Sequence, residues 1–272
     1  MLSKTAENLF WSARYIERAD SLARLLEVGY RISLIPNTET GYNNEWESIL
    51  ETSGIKDEYL NKFNKISKEK IISFLLFDPE NSSSVRNCIT SARENIRMVR
   101  TAVTLEVWNA VNSSFHDMDN NIKNTKNILK ELPEIIEWIK KQVNLIRGTI
   151  LNTQLINDGY DFLILGTYFE RADFTARIVN VKYFILLPSI NYVGGEIDNF
   201  QWSLMLRSIS SFRAFKWAYG GQDITYIKII DFLILNMTCP RSLIFSVEKI
   251  YHHLNRLSNF YKQTSISKKK NR

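Results

Sequence analysis

Apolar residues at the start of the chain recur at helical spacing: Leu9, Ala13, Ile16, Ala19, Ala23 and Leu26 follow one another at steps of three or four. The pattern predicts a helix from about Thr5 to Leu34, weakened only at Gly29 and firmly stopped at Pro36. A shorter helix follows near Glu45–Glu51, ended by Gly54. Another is expected near Ser67–Phe77, halting at Asp78-Pro79 because proline disfavours the α region for the residue before it. Val85, Ala92, Ile96, Val99, Val103 and Ala110 share one stripe and predict a long helix from about Ser83 to Asn112. Residues Asp119–Thr153 keep the helical pattern, with a break expected at Leu132-Pro133.

The pattern then begins again. Tyr15-Ile-Glu17-Arg18-Ala19-Asp20-Ser-Leu-Ala23-Arg24 returns as Tyr168-Phe-Glu170-Arg171-Ala172-Asp173-Phe-Thr-Ala176-Arg177, an offset of 153 residues. Trp46-x-x-Ile49-Leu50 returns as Trp202-x-x-Met205-Leu206 at offset 156. Phe74-Leu75, Asp78 and Ser84-Val85 return as Phe232-Leu233, Asn236 and Ser242-Leu243 at offset 158. Three matches in one order, with offsets drifting through loop lengths, argue for an internal duplication. The fold expected is all-α: a single fused helical bundle of about ten helices, built from two diverged repeats related by a pseudo-twofold axis. Repeat one would span about 5–113, connector helices about 119–153, and repeat two about 157–260. Together they would make one domain over 1–260, followed by a basic disordered tail at 261–272.

The repeated decapeptide concentrates the candidate chemistry. On a helical wheel Glu17, Asp20 and Arg24 fall in one narrow sector, with apolar or small residues on both flanks, and Glu170, Asp173 and Arg177 repeat the arrangement. Charges in such a sector must be paired, because an unpaired buried ion costs several kcal/mol. One reading is a structural ion-pair network, with Glu17 meeting Arg24 or, across the axis, Arg177, and Glu170 answering in kind. Ala19, Ala23, Ala172 and Ala176 would then let the two helices approach closely. A second is a polar pocket between the halves for an anionic or amide-bearing ligand. A third is an oxygen-ligated Mg²⁺ or Mn²⁺ held by the paired Glu-x-x-Asp motifs, although Arg18, Arg24, Arg171 and Arg177 stand ready to neutralise those carboxylates without metal. Arg93, Arg97 and Arg100 form a basic stripe present in the first half only, and are a candidate phosphate or carboxylate contact or else a solvated helix face. Arg241 is a single extra arginine at an expected helix start.

Composition changes this picture little. The chain has 272 residues, 44% of them apolar, and only 10 Gly and 5 Pro, which suits long helices. Cys88 and Cys239 form no redox motif or disulfide framework, and no apolar run reads as a signal peptide or membrane span, so a cytoplasmic protein is expected. The formal charge of +6 includes Lys268, Lys269, Lys270 and Arg272; without them the body carries +2, so no nucleic-acid partner is expected. No phosphate loop, dinucleotide fingerprint, nucleophile elbow or H-E-x-x-H is present. His116, His252 and His253 lack zinc-spaced partners and read as surface residues. The six tryptophans read as core rather than stacking platforms. No cofactor is implied.

The chain resembles the bacterial alpha-E domain family, a helical domain named for its Glu-containing helices. The resemblance rests on Leu2-Ser3-x-Thr5-Ala6-Glu7-Asn8-Leu9-x-Trp11, on Arg14-Tyr15-Ile16-Glu17-Arg18-Ala19 with Ala23-Arg24, and on Ala92-Arg93-Glu94-Asn95-x-Arg97. It also rests on Gly166 before Glu170-Arg171-Ala172-Asp173, and on Pro240-Arg241-Ser242. The sequence departs from the family's pattern at Thr167, where the second copy usually carries a basic residue matching Arg14. Members of that family typically accompany circularly permuted ATP-grasp proteins in systems resembling peptide or amide ligases. The resemblance therefore implies a partnership with an ATP-grasp-type ligase, as an accessory or substrate-handling component, and leans away from catalysis by this chain. The rival is an enzyme acting on a peptide or amide, with Glu17 and Glu170 as acid and base.

Overall fold

A computed structural model describes residues 1–34, 45–184, 195–221 and 224–261. The described residues form twelve α-helices, one short 3-10 turn and no strand. The first five helices are α1 (Ser3–Ile32), α2 (Glu45–Ser53), α3 (Lys56–Phe63), α4 (Lys68–Leu76) and α5 (Val85–Met98). Two follow, α6 (Leu105–Asn124) and α7 (Ile128–Thr153), and then α8 (Asp158–Phe184), α9 (Glu196–Ser208), α10 (Phe212–Ala218), α11 (Tyr226–Leu235) and α12 (Leu243–Phe260). The expected stop at Pro36 and the Lys-rich tail beyond residue 261 lie outside the described residues. Among the described residues no helix is long and apolar enough to cross a membrane.

Three expectations about the elements change. The helix expected from Ser83 to Asn112 is two helices: α5 ends at Met98, a 3-10 turn spans Arg100–Ala102, and Thr104 starts α6 by accepting a hydrogen bond from the Val107 amide at 3.3 Å. The connector does not break at Pro133, which lies within α7. The chain turns instead just before α7, where Asn127 Oδ1 accepts from the Lys130 amide at 3.1 Å and Glu131 Oε1 accepts from the Asn127 amide at 2.9 Å. This two-way cap fixes the start of α7. Short helices α3 and α10 were not anticipated. Each is only two turns long and carries too little periodic sequence to stand out.

Helix α1 occupies the middle of the bundle, packed against α8, α5, α7, α9, α2 and α4. It crosses α8 where Ala13 meets Gly166. A Cβ on Gly166 would lie 2.2 Å from the Phe10 carbonyl oxygen, so only glycine permits this approach. The small residues expected to make the contact behave differently: Ala19 and Ala23 are fully buried, whereas Ala172 is half-buried and Ala176 exposed. Helix α7 straps α1 from one side through Ile139, Val143 and Ile146, which join the common core, and through a Lys140–Glu27 ion pair at 3.0 Å. Trp46 and Trp202 are core residues. Trp217 departs from expectation at 78% exposed, because α10 is too short to bury a second large ring beside Phe215.

Candidate functional site

The two Glu-Arg dipeptides meet across the α1–α8 contact. Arg18 donates to Glu170 through Nε at 2.6 Å and Nη2 at 3.0 Å; Arg171 donates to Glu17 through Nε at 2.9 Å and Nη2 at 3.2 Å. Each arginine thus grips the other helix's glutamate with two parallel hydrogen bonds, the strongest geometry open to this pair. Arg24 and Arg177, expected to pair with Glu17 and Glu170 on their own helix or across the axis, instead turn back one helical turn to their own aspartates, Arg24 to Asp20 at 2.9 Å and Arg177 to Asp173 at 2.8 Å. A one-residue step along the helix, from 17 to 18, swings the side chain by about 100° toward the neighbouring helix, which is why Arg18 rather than Arg24 reaches across.

The surroundings of the two glutamates differ. Glu17 and Asp20 are completely buried. Beyond Arg171, Glu17 receives Arg147 from α7 and Arg241 from the start of α12, the latter at 3.2 Å. Asp20 receives Arg24, Arg147 at 3.1 Å and Arg241 at 2.9 Å. Burial alone would raise the Glu17 carboxyl, but the guanidinium groups of Arg147, Arg171 and Arg241 outweigh it and hold it down at about 2. Asp20 is driven low against the same burial by Arg147, Arg24 and Arg241. Burial, with Arg171 and Arg24 nearby, brings Arg241 down to about 10, so it remains a cation at neutral pH.

On the other side Glu170 is held by Arg18 and by Arg14 at 2.7 Å, both partly exposed. Asp173 and Arg177 do not join a buried network. They pair at the surface, with side chains 44% and 46% exposed. The reason is coverage. The long connector α7 lies over the Asp20 face of α1, and among the described residues no counterpart covers the Asp173 face of α8. Next to Glu170 and Asp173 lies a cavity of about 260 Å³, bounded by Arg18 and Ser21 of α1, Gly54 and Glu58 near α2 and α3, and Ser83 before α5. Ser21 is 3% exposed, and among the described residues its Oγ has no hydrogen-bond partner.

Arg24 and Arg177 also sit alike at helix ends. Arg24 donates to the Ser208 carbonyl at 3.1 Å and to Ser210 Oγ at 2.6 Å, at the end of α9. Arg177 lies against Gly54 at the end of α2, where an added Cβ would come 2.7 Å from its Nη1. Gly54 and Ser210 share a left-handed backbone, with φ of 73° and 56°. Each arginine therefore faces the carbonyl end of a helix from the opposite half, where a cation is favoured.

The basic stripe is not part of this site. Arg93 donates to Asn112 Oδ1 and to Glu94, both at 2.8 Å, and its guanidinium lies 4.6 Å from the Phe115 ring. Arg97 also pairs with Glu94, at 2.6 Å. Arg100 leaves the helix for the 3-10 turn and stacks 5.1 Å from Trp108. His253 is buried rather than superficial, its Nδ1 2.6 Å from Asp161. Among the described residues no group of three or more His, Cys, Asp or Glu is placed to hold a metal ion. Burial raises the Cys88 thiol to about 12, which leaves it inert as a nucleophile.

Arg147 escaped sequence reasoning because it comes from the connector, which has no repeat to compare. Its signal is a lone charge within the apolar stripe Val143, Ile146 and Ile150. Arg241 was visible only as an isolated basic residue, and Arg14 only within the alpha-E signature.

No curated protein and no solved structure matches the chain significantly. One family description does, over residues 1–272: Alpha-E, a predicted alpha-helical domain with a conserved ER motif. Glu17-Arg18 and Glu170-Arg171 are two such dipeptides, gripping each other across the central helix contact. The chain belongs to the Alpha-E family.

Proposed function

We propose that this protein is a non-catalytic, substrate-handling partner of an ATP-grasp-type peptide or amide ligase, built as two fused, diverged repeats about a pseudo-twofold axis. The ligase association follows from the alpha-E resemblance. The non-catalytic part rests on one observation: Glu17 is sealed from solvent with its oxygens committed to three guanidinium groups and its carboxyl held at about 2. A carboxylate so fixed neither delivers nor removes a proton near neutral pH. The Glu-Arg exchange is then the lock that joins the halves, and the ligase supplies the chemistry.

Several features support the repeat reading. Helices α1–α5 and α8–α12 run in the same order of long, three short, long. The Arg18–Glu170 and Arg171–Glu17 grips are reciprocal, as an isologous contact requires. Ser84 and Ser242 cap α5 and α12 in the same way, accepting from the Asn87 and Phe245 amides at 3.2 and 3.1 Å. The reading places the protein in the cytoplasm, where Cys88 and Cys239 stay reduced.

The test is to purify the protein together with an ATP-grasp-type ligase of the same organism. Co-elution, and a change in ligase rate when this chain is left out, are expected. Separate elution with an unaltered ligase rate refutes the partnership. Loss of product in a folded Glu170→Gln variant that still binds the ligase would instead favour the enzymatic rival.

A further inference from the structure

The offset of 158 residues that aligns Ser84 with Ser242 also aligns Ser83 with Arg241. In one half, Arg241 projects from the start of α12 and lays its guanidinium between Glu17, at 3.2 Å, and Asp20, at 2.9 Å. In the other half, the start of α5 offers the short Ser83. The cavity of about 260 Å³ lies there, beside Glu170 and Asp173, the residues matching Glu17 and Asp20. The empty volume thus stands where the chain, on its opposite side, places a guanidinium of its own.

We propose that this cavity binds a guanidinium group carried by a small molecule or by an arginine side chain of a peptide. The step from Arg241 to Ser83 rests on the repeat reading above; the cavity and its chemistry do not. Its charge suits a cation. Glu170, Asp173 and Glu58 line it against Arg18 and Arg177, and among the described residues Glu58, exposed on the first turn of α3, has no ion-pair partner. Ser21 supplies the second indication. A hydroxyl 3% exposed would ordinarily bond to the carbonyl one turn back, yet among the described residues the Oγ of this cavity-lining serine has no partner, and rotation of its side chain would let it accept an N–H. A planar guanidinium offers five donors, enough to meet Ser21 and a carboxylate together. The pairs Arg18–Glu170 and Arg177–Asp173 offset one another, so the charge left over at the cavity is that of Glu58, which favours a cation over an anion.

Calorimetric titration of the full-length protein with agmatine, and separately with inorganic phosphate, tests this without any ligase. Saturable agmatine binding and no phosphate binding are expected. Asp173→Asn, at a surface position, should weaken agmatine binding by roughly tenfold, the loss of one charge-assisted hydrogen bond. Ser83→Arg should fill the cavity from within and abolish binding. If Ser83→Arg fails to fold, Glu58→Gln, with the same expected weakening as Asp173→Asn, takes its place. Absence of agmatine binding, phosphate binding in its stead, or agmatine affinity unchanged in Asp173→Asn would each overturn the proposal. A folded Ser83→Arg variant that binds like the wild type overturns the assigned location.

Discussion

Glu17 and Glu170 share a tetrapeptide, a helix type and a bidentate arginine across the same contact, yet one is locked and the other is not. The difference comes from the surroundings of the motif. Glu17 lies under the connector α7 and the start of α12, which bring Arg147 and Arg241. Glu170 lies beside a cavity, with Arg14 and Arg18 that retain contact with water. A motif therefore fixes pairing, while the segments laid over it decide whether the pair becomes architecture or remains available.

The sharpest way to break this comparison is to neutralise each glutamate in turn. Glu17→Gln leaves three buried guanidinium groups without their shared anion and is expected to cost about 3–5 kcal/mol. Glu170→Gln should cost roughly 1–2 kcal/mol, since its arginines can turn to solvent. Equal losses in urea denaturation would show that the two sides are equivalent after all.

Acid should pick out the same side. The ordinary value for a glutamate is 4.5, and Glu17 sits at about 2, so the folded protein binds fewer protons than the unfolded chain between those values. Its contribution is complete above pH 4.5 and is lost as pH falls toward 2, amounting to about 3 kcal/mol. In Glu17→Gln that part of the decline should vanish; a stability curve of unchanged slope over this window contradicts the lock.

The smallest effect is expected at the exposed pair. Asp173→Asn removes a surface ion pair and should change stability by less than about 1 kcal/mol, against several for Asp20→Asn. Thermal melts of the two variants compare them directly, and a large loss at Asp173 would mean that α8 is covered in solution.

The sequence showed the helices wherever apolar periodicity ran for three turns or more, as in α1, α7 and α8. It overran at Val99, where Val103 and Ala110 continue the stripe by coincidence of spacing across the 3-10 turn. The charged residues of the site were legible because charge in a helix flanked by apolar positions has to be paired. Their partners were not, since pairing depends on which helix faces which: Arg171 and Glu17 are 154 residues apart. Ser21 and Ser83 carried no sequence signal, because an empty volume is defined by what surrounds it.

The distance along the chain between Glu17 and Arg241, 224 residues, has a consequence for biosynthesis. A ribosome adding about 5–20 residues per second delivers Arg241 roughly 10–45 s after Glu17 has left the exit tunnel region. For all that time the carboxylates of the first helix, met early by Arg24 and later by Arg147 and Arg171, still lack their last guanidinium and the start of α12 that closes over them. The nascent protein must stay soluble, shielded or loosely collapsed, until nearly its last helix emerges.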